Sequence, residues 1–205
     1  MSPLVLAVRG AVSTLTARDR ASLFDRATTS DDAIRGRTAE IIAQVRSGGD
    51  AALRALAERF DGVRLGTLEV SRAVCDAALE ALEPALRRAM ERAITNISAV
   101  HHAFMPVATE ITTADGVVIG RRPDPLARVG VYAPGGRAAY PSSVLMGAVP
   151  ARVAGVREVI LCSPPGPDGR PSAAVLAAAS LAGVDRVFSL GGAGAIAAMA
   201  FGTES

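Results

Sequence analysis

Three short apolar runs, at residues 129–133, 158–162 and 186–190, recur roughly 28 residues apart, and each leads into a turn and a helical stretch. This period constrains the chain more than any other feature. A buried strand, a helix and a second buried strand form a crossover of fixed hand, which makes the strands parallel. An internal echo marks the same architecture: Ala154-Gly155-Val156-Arg157-Glu158-Val159 returns as Ala182-Gly183-Val184-Asp185-Arg186-Val187. In each copy the glycine can end a helix in the left-handed conformation, and the valine leads into a strand.

The preceding residues carry helical patterns. Residues 1–29, with an apolar stretch at 4–8, read as an N-terminal arm. Ser30, followed by Asp31 and Asp32, is the expected cap of a helix carrying Ile34, Ile41, Ile42 and Val45, which Gly48-Gly49 should stop. Asp50 can cap a second helix that closes at Asp61-Gly62. A short strand is expected at 68–70. Ser71 then caps a helix to about Leu82, and Pro84 opens another to about Phe104. Leu86, Met90, Ile94, Ile97 and Val100 should be its inner face, with Arg87, Arg88, Glu91 and Arg92 on a solvated one. Residues 109–113 and 117–122 flank Ala114-Asp115-Gly116 as a hairpin. The expected fold is α/β. An arm (1–29) and a helical segment of a first domain (30–105) precede an incomplete Rossmann-like parallel-sheet domain that binds nucleotide (106–205).

Composition narrows the function. Half of the 205 residues are hydrophobic but only 3% are aromatic, so the core must be built from Ala, Val, Leu and Ile. That argues against a base-stacking platform. The net charge of +2 is interleaved along the chain, and no basic stripe suited to nucleic acid appears. Every basic residue is Arg, which excludes a P-loop lysine and a Schiff-base lysine. Cys75 and Cys162 are too isolated for a disulfide framework. His101 and His102 are adjacent, so on a helix they point about 100° apart, and no tetrahedral zinc site is expected from this chain. They read as packed or exposed helix histidines, and Cys162 as a core residue. No run suits a membrane span, the N-terminus does not suit a signal peptide, and the expected location is the cytoplasm.

Two glycine turns can carry chemistry. The first strand runs into Pro134-Gly135-Gly136 ahead of a helix expected to be capped near Ser142-Ser143. Such a helix start offers free N–H groups to a phosphate or carboxylate, although Pro-Gly-Gly alone is equally a plain turn. The third strand runs into Leu190-Gly191-Gly192-Ala193-Gly194, without the spacing of the dinucleotide fingerprint, ahead of a last helix from about Ala195. Two such turns at one sheet edge strengthen a nucleotide-binding reading. No catalytic carboxylate pair is visible among Glu110, Asp115 and Asp124.

The run from Arg128 through Tyr132-Ala133-Pro134-Gly135-Gly136, Tyr140-Pro141-Ser142-Ser143 and Val149-Pro150-Ala151-Arg152 to Val156 resembles histidinol dehydrogenase. Gly48-Gly49-Asp50, Phe60-Asp61-Gly62, Cys162-Ser163-Pro164-Pro165 and Phe201-Gly202-Thr203-Glu204-Ser205 extend the resemblance from about residue 30 to the end. It implies an NAD- and zinc-dependent homodimer that oxidises L-histidinol through the aldehyde to L-histidine. By resemblance Tyr132 contacts NAD, with Gly135 and Gly136 beside it. Gly194 stands where the family has a glutamine that makes a second contact. The family's zinc ligands, its Glu-His acid–base pair and its Gly-Pro-Gly-Asn segment are expected beyond Ser205. The resemblance therefore implies an N-terminal part with no catalytic or metal residue of its own, inactive alone. Gly194 also leaves open a related zinc- and NAD-dependent dehydrogenase acting on another polar alcohol. A non-catalytic half that binds nucleotide or pairs with a partner is a third possibility. Exposed apolar surface on the isolated chain is expected to favour association.

Overall fold

The computed structural model describes residues 10–24, 32–135 and 138–205. The apolar stretch at 4–8, the expected cap at Ser30 and Asp31, and Gly136 lie outside them. The chain divides between Glu40 and Ile41 into two compact units.

In the first unit, a 3-10 turn at Val12–Thr14 precedes α1, Ala17–Phe24. Thr16 caps α1: its hydroxyl accepts from the Asp19 N–H at 3.1 Å and donates to the Asp19 carboxylate at 2.7 Å. Thr16 is thus the N-cap of α1, its hydroxyl serving the N3 amide. Helix α2, Asp32–Asp61, starts in this unit and ends in the second. It is interrupted at Gly49, where φ is +49° and ψ is −135°. The expected glycine stop is thus a kink, because one left-handed residue breaks the hydrogen-bond ladder and the chain then resumes its helix.

The second unit holds a four-stranded sheet. After α2 come β1 (Glu69–Val70), α3 (Arg72–Glu80) and α4 (Pro84–Ala103). A hairpin of β2 (Thr109–Thr112) and β3 (Val118–Arg121) follows. The alternation β4 (Arg128–Tyr132), α5 (Pro141–Val153), β5 (Glu158–Ser163), α6 (Ala173–Leu181), β6 (Arg186–Ser189) and α7 (Gly192–Phe201) completes the chain. Strand order is β1-β6-β5-β4, with β4, β5 and β6 parallel and β1 antiparallel at the edge. The three apolar runs are therefore one parallel sheet, as their spacing requires.

The sheet has a core on each face. Val129, Val131, Val159, Leu161 and Val187 pack with Val144, Leu145 and Ala148 of α5 and Leu176 of α6. Tyr132, Ile160, Cys162 and Phe188 alternate to the other face, against Leu53 and Leu56 of α2 and Ala195 of α7. Burial on both faces explains why β5 and β6 read as apolar runs without a polar face, whereas β4, at the sheet edge, is only half-buried. Each fully buried Val or Leu contributes about 1.5–3 kcal/mol.

The six-residue echo is a repeated helix end. Gly155 and Gly183 have φ of +84° and +69°. Val156 and Val184 donate back to Ala151 and Ala179, at 3.0 and 2.9 Å, and the glycine amides donate to Arg152 and Ser180. Both turns are Schellman motifs. Arg152 ties them together, donating from Nε to the Gly183 carbonyl at 3.0 Å and from Nη1 to the Val156 and Arg157 carbonyls at 3.0 Å each. Its Nη2 reaches the Asp185 carboxylate, which also accepts from the Val159 N–H at 2.6 Å.

Several local expectations differ. Leu86 and Val100 of α4 are 39% and 51% exposed, while Met90 is buried and Ile94 and Ile97 are half-buried. The inner stripe is narrower than the periodicity suggests because α4 lies at the margin of its core. Its N-cap is Glu83, which accepts from the Ala85 and Leu86 N–H groups at 2.9 Å. The N-cap of α5 is Tyr140 and makes no side-chain cap bond, so Ser142 and Ser143 fall inside the first turn. Helix α7 starts at Gly192 and not at Ala195.

Candidate functional site

Strands β4, β5 and β6 end together, and the loops that leave them open onto the carboxyl edge of the sheet. Ligands of open parallel sheets bind at that edge. Two clefts lie there. One, of about 530 Å³, separates the loops after β4 and β5, with Gly135, Ser163, Pro164 and Arg170 on its walls. The other, of about 290 Å³, lies between α2 and the start of α7 and is walled mostly by apolar groups, among them Leu53, Leu56, Phe60 and Gly194. Asp61 lines both.

Tyr132, the last residue of β4, joins the two ends of this edge. Its hydroxyl accepts from the Gly192 N–H at 3.0 Å, across the sheet from the first residue of α7. A phenol that accepts through a lone pair keeps its own proton to donate. Helix geometry leaves the next amides of α7, those of Ala193 and Gly194, without an intrahelical acceptor, and the dipole there favours negative charge.

The two described glycines named in the sequence lie at the same edge. A Cβ at Gly135 would stand 3.3 Å from Pro164 Cδ, so its lack of a side chain lets the loops after β4 and β5 approach. Gly194 is buried in α7, and a Cβ there would stand 3.1 Å from Leu56 Cδ1. Leu56 therefore occupies the space from which a longer side chain at 194 would have to start. Tyr132, Gly135 and Gly194 come together at one edge, whereas Gly136 lies outside the described residues.

Sequence reasoning gave Asp61 only the role of closing a helix. Its carboxylate stands 3.5 Å from the position a Cβ on Gly191 would take, beside Pro164. Loss of surrounding water pushes its pKa above the ordinary carboxylate value, and it makes no hydrogen bond or ion pair among the described residues. The Phe60-Asp61-Gly62 match was the available signal.

The other titratable candidates lie elsewhere. His101 and His102 are exposed on α4, and His102 Nδ1 lies 2.8 Å from the Ser98 carbonyl. Cys162 is buried, and desolvation pushes its thiol up to about 12. Cys75 is also buried and raised, by desolvation foremost. Among the described residues no three His, Cys, Asp or Glu side chains come together as a metal-binding set. The described residues therefore hold no donor set that fits zinc. No helix among the described residues is long and apolar enough to cross a membrane.

Comparison with known proteins gives one consistent result. The family model described as histidinol dehydrogenase matches residues 24–205. A histidinol dehydrogenase of Xanthomonas euvesicatoria is 53% identical over 179 residues, covering 87% of this chain and 41% of that protein. One from Methanothermobacter thermautotrophicus is 45% identical over 183 residues, covering 89% and 43%. The crystal structure of histidinol dehydrogenase from Elizabethkingia anophelis superposes with a TM-score of 0.79 at 33% identity, covering 83% of this chain and 40% of that one. The chain thus spans about two-fifths of the length of these relatives.

Proposed function

Because the chain belongs to the histidinol dehydrogenase family, we propose that it carries the NAD-binding part of an L-histidinol dehydrogenase. The reaction is oxidation of L-histidinol through L-histidinaldehyde to L-histidine, the last step of histidine biosynthesis, in a cytoplasmic homodimer. When bound, NAD supplies the hydride acceptor for both oxidations.

The observation that carries this reading is the Tyr132–Gly192 hydrogen bond. It fixes a phenol, the amides of a helix start and two clefts at the one sheet edge where a dinucleotide would lie. Tyr132 keeps a proton to donate to the cofactor. Gly135 lets the cofactor approach the backbone closely, at the wall of the wider cleft. Gly194 leaves an apolar wall where the family has an amide, so the second contact is lost and Tyr132 carries more of the recognition. Zinc does not suit the described residues, and no step through it is assigned to this chain. We therefore assign binding to this chain and place the proton and metal chemistry outside it.

The test is calorimetric titration of the protein with NAD, followed by an assay for NADH formation from L-histidinol with zinc present. Saturable NAD binding without turnover is expected. Absence of NAD binding overturns the reading, and turnover overturns the separation of binding from chemistry.

A further inference from the structure

A dinucleotide fold of this topology ordinarily holds the adenosine ribose with an acidic residue at the end of its second parallel strand, where the carboxylate accepts from the ribose hydroxyls. The second parallel strand here is β5, and it ends in Ser163 followed by Pro164, with no acid at that point. Asp61 arrives from the end of α2 instead. It stands beside Pro164 and the bare backbone of Gly191, over the ends of β5 and β6. Among the described residues it alone lines both the polar cleft behind the β4 and β5 loops and the apolar cleft under α7.

We infer that Asp61 is the ribose-binding and specificity-determining carboxylate of this chain, accepting from the 2′-hydroxyl of the adenosine and selecting NAD over its 2′-phosphorylated counterpart. This inference rests on the nucleotide reading above and adds a residue to it.

Three observations support Asp61. Its carboxylate has no internal partner among the described residues, so both oxygens are available to a ligand. Asp61 lies at the surface, open to a ligand that arrives from solvent. The other carboxylate in the polar cleft, Asp168, already accepts from the Arg170 N–H at 3.2 Å within its own loop. The position also sets the order of the ligand: the flat apolar cleft bounded by Leu53 and Leu56 suits the adenine, and the wider cleft with Gly135 and Arg170 suits the pyrophosphate. A 2′-phosphate would place its charge against the Asp61 carboxylate. Among the described residues that line the wider cleft, Arg170 is the group able to oppose that repulsion.

The experiment measures NADH and NADPH binding by fluorescence titration for the protein and for Asp61→Asn and Asp61→Ala, with urea midpoints recorded for all three. The unsubstituted protein is expected to favour NADH by about tenfold or more, the usual worth of a hydrogen bond to a charged group. Asp61→Asn should weaken NADH about tenfold and leave NADPH unchanged or tighter, with an unchanged urea midpoint, since Asp61 is exposed and makes no hydrogen bond or ion pair among the described residues. NADH binding with the same discrimination in Asp61→Asn and Asp61→Ala overturns this inference and leaves the nucleotide reading intact. Failure of the unsubstituted protein to bind either dinucleotide overturns both.

Discussion

The N–H of Asp50 donates to the carboxylate of Glu204 at 2.7 Å, 154 residues along the chain. The contact is reciprocated: Asp50 Oδ1 accepts from the Ser205 hydroxyl at 3.1 Å and from its N–H at 3.4 Å. The helix that resumes after Gly49 is therefore capped by the residues that follow α7. This clasp holds α2 against α7, and the apolar cleft lies between those two helices.

Gly49→Ala should break the clasp. Its φ of +49° disfavours any side chain, and a Cβ there would run into the Glu204 carboxylate. A loss of about 2–3 kcal/mol is expected, combining left-handed strain with a lost charged cap. Urea denaturation should show a clear fall in midpoint, while Gly62→Ala, where φ is +70° but the space is open, should cost less.

Arg152→Ala removes donors from three carbonyls and one carboxylate in a half-buried corner. Leaving those acceptors unpaired should cost about 2–4 kcal/mol, and Arg152→Lys should recover only part, because an ammonium cannot reproduce the fork. Thermal melts of both variants give the comparison.

Tyr132→Phe should weaken NADH binding about fivefold, the worth of one neutral hydrogen bond of roughly 1 kcal/mol. Its urea midpoint should move little, since only the Gly192 N–H loses a partner and solvent can reach it. An unchanged NADH affinity would show that the hydroxyl serves the fold alone.

Stability should fall in acid. Burial disfavours the charged form of Asp50, but hydrogen bonds from Thr203 and Ser205 and the charge of Arg54 outweigh it, and its pKa lies below 3.8. The hydrogen bond from Arg186 holds Glu69 below 4.5. For both groups the unfolded chain takes up protons at a higher pH than the folded one. Their contribution is thus fully present above the ordinary values and is lost as pH falls through the folded ones. Urea midpoints should therefore decline below about pH 4.5, and Asp50→Asn should flatten the part below about 4.

Much of the fold was legible because it follows from local rules. The spacing of the three apolar runs implied parallel strands, and the echo around Gly155 and Gly183 marked two helix ends of one type. What escaped depends on contacts between distant residues. Asp50 looked like an ordinary cap, and nothing local indicates that Glu204 and Ser205 complete it. Leu86 and Val100 obey the helical period of Met90, yet no core partner reaches them. At the sheet edge, Tyr132, Gly135 and Gly194 were marked by the resemblance, while Asp61 joins them only through the path of α2.

Hydrogen exchange with and without saturating NADH tests the central claim most directly, because it locates the ligand on the fold. Slower exchange is predicted at residues 133–135, in the loop 164–172 and at the amides of Gly192, Ala193 and Gly194. Protection confined to the opposite edge of the sheet, near Arg128 and Glu158 where β4 and β5 begin, or no protection at all, would contradict it.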